Sequence, residues 1–178
     1  MVGVTSLFTW KDVLPTTTGD LPPTWQRAEE VAREEYDLEE DHSRWHDART
    51  KDGDPVEIKS CVSEYADGRL GQFKIWENQL TELFGEGQIA FLLYYPNRHR
   101  TVLSTCLVPS YSADRLGTVT NLRWDGGRLR QLRCIPWPEV VPLDKIQAGY
   151  RHHYTEHYPR EVVDETIILQ RDRNDNAD

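Results

Sequence analysis

Residues 89–95 read Ile-Ala-Phe-Leu-Leu-Tyr-Tyr, an unbroken apolar run set between Gly85-Glu86-Gly87-Gln88 and Pro96. Apolar residues at every position predict a strand buried on both faces. A chain that buries such a strand has to cover both sides of the sheet that holds it. The same run is the longest of its kind and falls far short of the ~20 residues needed to cross a bilayer. The opening MVGVTSLFTW has neither the basic n-region nor the apolar h-region of a signal peptide, so neither a membrane span nor Sec secretion is expected. Cys61, Cys106 and Cys134 are far apart, form no CxxC pair and are odd in number. They predict buried thiols in a reducing cytoplasm rather than a disulfide framework.

Around this run the pattern alternates between helix and strand periods. Residues 1–23, rich in Pro and Gly toward their end, read as an irregular lead-in. A helix is predicted from Thr24 as N-cap through TWQRAEEVAREEYDL. Trp25, Ala28, Val31, Ala32 and Tyr36 share one face of it, with Glu29 at the edge of that face and Glu35 near its centre. The segments RWHDART, PVEIKSCV and GQFKIW alternate as strands, ENQLTELF reads as a short amphipathic helix, and RTVLSTCLV is a further strand. NLRW-DGG-RLRQLRCI predicts a hairpin on a Gly-Gly turn. The order helix, three strands, helix, strand, followed by more strands, indicates an α/β fold with a mixed sheet. Residues 24–137 form the expected core with its Arg-rich hairpin, and 138–178 a C-terminal extension ending in a frayed acidic tail.

Net charge is −9, but it is unevenly spread. Residues 97–133 carry seven Arg against two Asp, a local excess of +5, while the flanking segments are acidic. One stretch is thus able to face phosphate while the rest repels it. Within it Arg123, Arg128, Arg130 and Arg133, together with Trp124, are candidates for backbone contacts and stacking on nucleic acid. Arg128 and Arg130 are two apart and share a strand face. The competing reading is a polar strand face paired with the acidic N-terminal half.

The stretch Asp47–Lys59 carries the chemistry. On a strand, Glu57 and Lys59 project from one face and Val56 and Ile58 from the other. Two carboxylates, Asp47 and Glu57, suit a hard oxygen-loving cation such as Mg²⁺, and an adjacent amine suits charge developing on a phosphoryl group. The grouping depends on register. A plain two-residue turn at Asp52-Gly53 sets Ala48 opposite Glu57 and turns Asp47 away. An odd-length loop or a bulge, with Gly53 at positive φ, brings Asp47 onto the Glu57/Lys59 face. As a solvated hairpin, the same Glu–Lys pair would be worth well under ~1 kcal/mol.

These residues resemble the PD-(D/E)xK nuclease superfamily, which includes restriction endonucleases and archaeal Holliday-junction resolvases. Glu57-Ile58-Lys59 stands at the ExK position and Asp47 at that of the upstream metal-binding Asp, although His46 replaces the Pro that usually precedes it. The resemblance covers residues 25–95 and implies a restriction endonuclease-like αβββαβ core. It further implies a Mg²⁺-dependent DNA endonuclease, with Mn²⁺ able to substitute. Asp47, Glu57 and the Ile58 carbonyl would be metal ligands and Lys59 the electrostatic or water-positioning group. Glu29 would be an auxiliary acid on the first helix, with Glu35 as its rival, and Gln79 a contact from the second helix. Many members act as dimers on two strands, so the resemblance admits a homodimer. The alternative is a catalytically inactive nuclease-like module that binds DNA or another protein.

Other motifs carry less. His42 and His46 are four apart but span a loop-to-strand transition, where that spacing does not converge. His153 and His157 have no acid at metalloprotease spacing, so surface or interface histidines are expected. Gly85-Glu86-Gly87 is too short to cradle phosphate and reads as a helix stop.

Overall fold

The computed structural model describes residues 24–96, 101–124 and 128–154. The chain opens with helix α1 (Thr24–Tyr36), whose Ala28, Val31 and Ala32 are buried at the predicted spacing. Two short strands follow, β1 (Glu39–Glu40) and β2 (Ala48–Arg49), and then the longer β3 (Pro55–Val62). Strand β4 (Gln72–Trp76) runs directly into helix α2 (Glu77–Leu83). Next come β5 (Gln88–Tyr94), β6 (Val102–Pro109), the single helical turn α3 (Ser110–Ala113), and the hairpin β7 (Thr118–Trp124) and β8 (Arg128–Pro136).

The strands form a five-stranded sheet in the order β1-β2-β3-β5-β6 and a three-stranded sheet in the order β4-β8-β7. In the larger sheet β3 and β5 are parallel and the other pairs antiparallel, so it is mixed as expected. This is a restriction endonuclease-like α/β fold with a β extension. Strand β5, the apolar run, is central, and its alternate residues feed two cores. Ala90 and Leu92 pack with Ala28, Val31, Ala32, Val56 and Ile58 on the α1 side. Ile89, Phe91 and Leu93 pack with Phe73, Ile75, Leu80 and Leu83 on the other. Trp137, Val140, Val141, Ile146 and Tyr154 join this second core, so the described part of the C-terminal segment is built into the fold.

One strand assignment changes. GQFKIW, expected as the third strand of the central sheet, lies in the smaller sheet beside β8, and the pair Glu39–Glu40 supplies the missing strand as β1. Both edges of β3 are already occupied, by β2 and β5. Gly71 provides the exit: a Cβ there would lie 1.6 Å from the Val62 carbonyl oxygen, so only glycine lets the chain pass this close and turn into the second layer. Strand β1 is two exposed acids, too short and too polar to show any period.

Candidate active site

The β2–β3 hairpin sets the register. Ala48 lies opposite Val56 and Arg49 opposite Pro55, and the Thr50 N–H donates to the Asp54 carbonyl at 2.9 Å. The loop is therefore Lys51-Asp52-Gly53, an odd number of residues, with Gly53 at φ 94°. The paired register ends at Ala48–Val56, and Asp47 immediately precedes it. The Asp47 N–H donates to the Val56 carbonyl at 3.0 Å, and its carboxylate Oδ2 accepts the Ile58 N–H at 2.9 Å. In an extended strand the N–H and C=O of one residue leave on the same edge, so the Ile58 carbonyl also projects toward the Asp47 side.

Glu57 is 3% exposed. α2 reaches over Glu57 through Gln79, while the Lys59 side chain on the same face keeps 20% exposure. Lys59 Nζ forms an ion pair with Glu57 Oε1, and Gln79 Nε2 donates to the same oxygen at 2.7 Å. Gln79 is in the first turn of α2, and its Oε1 accepts the Trp76 N–H at 3.4 Å, so the amide is oriented from both ends. Burial pushes the Glu57 carboxyl up to about 7; Lys59 opposes that shift, Asp47 adds to it, and Gln79 opposes it.

On the other side of Asp47 lies Glu29, buried on α1. Its carboxyl is raised, first by burial and then by Asp47, with His42 acting against the shift. Glu35 is raised by burial alone, and Asp47 does not figure among its influences; Glu29 is the helical acid beside Asp47. His42, read from its spacing as a surface residue, reaches the same place, with Nε2 3.7 Å from Glu29 Oε2 and 3.3 Å from Glu40 Oε1. His42 and His46 do not converge. His46 is buried, with Nδ1 2.8 Å from Ser43 Oγ and Nε2 3.1 Å from Asp41 Oδ2. Asp41 is also paired with Arg49. This network braces the segment that carries Asp47. No local period could reveal His42, because the turn after β1 brings it back against α1.

The four arginines of the hairpin separate. Arg130 and Arg123 are exposed but point to opposite faces, since Arg130 pairs with Leu122 and Arg123 with Leu129. The Arg130 guanidinium lies 5.8 Å from the Trp76 ring centroid, and exposed Lys74 shares that face by register. Arg133 is turned inward: it is 9% exposed, donates to Glu77 at 2.7 and 3.3 Å and to Asp114 at 3.1 Å, and donates to the Leu116 carbonyl at 2.9 Å. Its charge is used in holding α2 to the second sheet. The side chains of Arg128 and Trp124 and the Gly-Gly turn lie outside the described residues, as does His157. His153 packs against Tyr95, with ring centroids 5.8 Å apart.

A mixed α/β fold with Glu57 and Lys59 paired on β3, and Asp47 bonded to the Ile58 N–H between them, has the makings of a nuclease-type hydrolase core. The family model described as the PD-(D/E)XK nuclease superfamily domain matches residues 24–141, well over half of the chain, and the protein belongs to that superfamily. No curated protein matches its sequence. PD-(D/E)XK nucleases use divalent metals, and the donors here fit one. Asp47, Glu57 and the Ile58 carbonyl offer oxygen atoms only, as a hard cation prefers. The buried Glu57 carboxylate, raised toward neutrality in the free protein, is also a group whose ionised form a cation would stabilise.

Proposed function

We propose that this protein is a metal-dependent DNA endonuclease that hydrolyses phosphodiester bonds. Asp47 and Glu57 with the Ile58 carbonyl would hold Mg²⁺, or Mn²⁺ in its place. When bound, the ion supplies Lewis acidity and a water of lowered pKa. The observation that carries this reading is the bond from the Ile58 N–H to Asp47 Oδ2 at 2.9 Å, which holds Asp47 against the strand that bears Glu57 and Lys59.

The chain's own residues have distinct parts. Asp47, held by the Ile58 N–H, keeps one carboxylate fixed at the strand edge. Lys59, paired with Glu57 in the free protein, would turn to the attacking water or to the phosphoryl oxygens as their charge develops. Gln79 holds Glu57 in place and excludes water from behind it. Glu29 would act as an auxiliary acid beside Asp47. Arg130, Lys74 and Trp76 form the face over which a phosphate backbone would run toward α2 and so toward Gln79, with Arg128 next along β8 and Arg123 reaching a strand on the opposite face. A homodimer would set two such sites against two strands.

The deciding experiment is nicking of supercoiled plasmid by wild-type protein and Lys59→Ala in Mg²⁺ and in EDTA. Cleavage by wild type in Mg²⁺ alone is expected. Wild type that binds plasmid at low salt but never nicks it would instead make the fold a DNA-binding module.

A further inference from the structure

A cavity of about 430 Å³ opens beyond the carboxyl ends of the parallel strands β3 and β5, lined by Glu64, Tyr65, Tyr95, His153 and Tyr154. That volume is within the range of small-ligand pockets, and the carboxyl ends of parallel strands are where open α/β sheets hold ligands. Its walls are fixed by the fold. The Ser63 N–H donates to the Tyr94 carbonyl at 2.8 Å, which ties the two strand ends together. Tyr154 is buried, with its hydroxyl 2.6 Å from Ser63 Oγ, and its ring meets Trp137 edge-on at 5.2 Å. The Tyr95 ring packs on Tyr150 and His153, with centroids 4.8 and 5.8 Å away. Glu64 follows Glu57 by seven residues, on the order of 20 Å at the rise of a strand, so this cavity is separate from the centre on β3.

Glu64 brings a carboxylate to the cavity. Burial pushes the Tyr154 hydroxyl up to about 12, and the Glu64 charge adds to that. Among the described residues the Glu64 side chain has no hydrogen bond or ion pair. The neighbouring Arg69 lies 5.8 Å from the Tyr65 ring centroid, but its charge is met by Asp67 at 2.8 Å. A partly buried carboxylate and the electron-rich faces of tyrosines both favour a positive charge. The walls decide its shape. The Tyr95 and His153 rings are inclined at 36° and the His153 and Tyr154 rings at 61°. Faces set at such angles do not make the parallel slot that a flat nucleobase needs, whereas a compact cation needs no slot. We propose that this cavity binds an alkylated ammonium group, with Glu64 as its counter-charge and Tyr65, Tyr95 and Tyr154 as its aromatic walls. A free choline-like molecule and a methylated lysine of a partner present the same chemistry.

The test uses the full chain without nucleic acid or metal, so its outcome is independent of the centre at Glu57. Choline is titrated by calorimetry beside its uncharged isostere, in which carbon replaces the nitrogen. Wild type is expected to bind choline with a Kd in the millimolar range or below, and the isostere at least about tenfold more weakly. Glu64→Gln and Tyr65→Leu, both at partly exposed residues, should fold as wild type by circular dichroism and each weaken choline binding by about tenfold. Tyr65→Phe, which keeps the ring, should bind as wild type. A trimethyllysine peptide titrated alongside assigns the source of the cation: binding tighter than choline supports a partner's side chain, and binding no tighter supports a free molecule. Equal binding of choline and its isostere, or an unchanged Kd in Glu64→Gln, overturns the ammonium site. So does adenosine or guanosine bound in preference to choline, which would make the cavity a nucleoside pocket. Wild type that binds neither choline nor the peptide overturns the proposal outright.

Discussion

Gln79 Nε2 donates a hydrogen bond to Glu57 Oε1 at 2.7 Å, joining the first turn of α2 to the third residue of β3 across 22 positions of sequence. This bond opposes the upward shift that burial imposes on the Glu57 carboxyl. Gln79→Ala removes the donor and leaves Glu57 harder to ionise. The acid limb of the cleavage pH profile should therefore move to higher pH, with activity near neutrality reduced by roughly tenfold, a loss of about 1.4 kcal/mol in stabilisation. An acid limb that stays in place would separate Gln79 from Glu57 function.

Glu57 also makes the stability of the metal-free protein depend on pH. Its carboxyl is raised from 4.5 to about 7, so the folded state binds the proton more tightly than the unfolded state. That contribution is fully present below about pH 4.5 and is lost as pH rises through about 7. In EDTA, wild type should lose on the order of 3 kcal/mol relative to Glu57→Gln between pH 4.5 and pH 8. Urea unfolding at the two pH values measures it; parallel curves would show that Glu57 is not held in a desolvated site. A divalent cation that needs the ionised carboxylate should reverse the loss in wild type only.

Lys59→Ala should reduce cleavage by about 10²-fold or more while leaving folding and DNA binding nearly intact, since the ammonium acts on charge that develops during reaction. Asp47→Ala and Glu57→Ala should in addition weaken metal binding, visible as a smaller rise in Tm on adding Mg²⁺. Undiminished nicking by all three variants would retire the mechanism.

The hairpin loop sets the register, and its glycine makes a specific prediction. Gly53 sits at φ 94° with nothing within 4 Å of where a Cβ would stand. Gly53→Ala should therefore cost about 1–2 kcal/mol through backbone strain alone and lower activity by loosening Asp47. Gly71→Ala is of another kind, because its Cβ would meet the Val62 carbonyl at 1.6 Å; that variant should not accumulate as folded protein. Equal thermal stability of the two variants would contradict this assignment.

Arg130 and Arg133, three apart on β8, should behave oppositely. Arg130→Ala should weaken DNA binding and reduce the salt-dependence slope by about 1, with Tm unchanged. Arg133→Ala leaves Glu77 and Asp114 without their cation and should cost about 2 kcal/mol or more of stability, discounted from a fully buried pair because Asp114 is 46% exposed. Fluorescence anisotropy across a salt series, set beside thermal melts, distinguishes them.

Everything with a short period was legible in the chain itself. The 3.6-residue spacing marked α1, the alternation in PVEIKSCV separated Val56 and Ile58 from Glu57 and Lys59, and the unbroken run Ile89–Tyr95 marked the central strand. Even the odd-length loop at Gly53 followed from asking which register could bring Asp47 to Glu57. Such features arise within one element or one hairpin, where side-chain direction follows from backbone geometry. Tertiary packing alone decided the rest. It sent GQFKIW into the second sheet through the Gly71 contact and recruited two acids, Glu39–Glu40, as the strand in its place. It buried Glu57 under α2, turned Arg133 inward to Glu77 and carried His42 back against Glu29. Each of these depends on which surfaces meet across tens of residues, and that is set by the packing of whole layers rather than by any pattern along the chain.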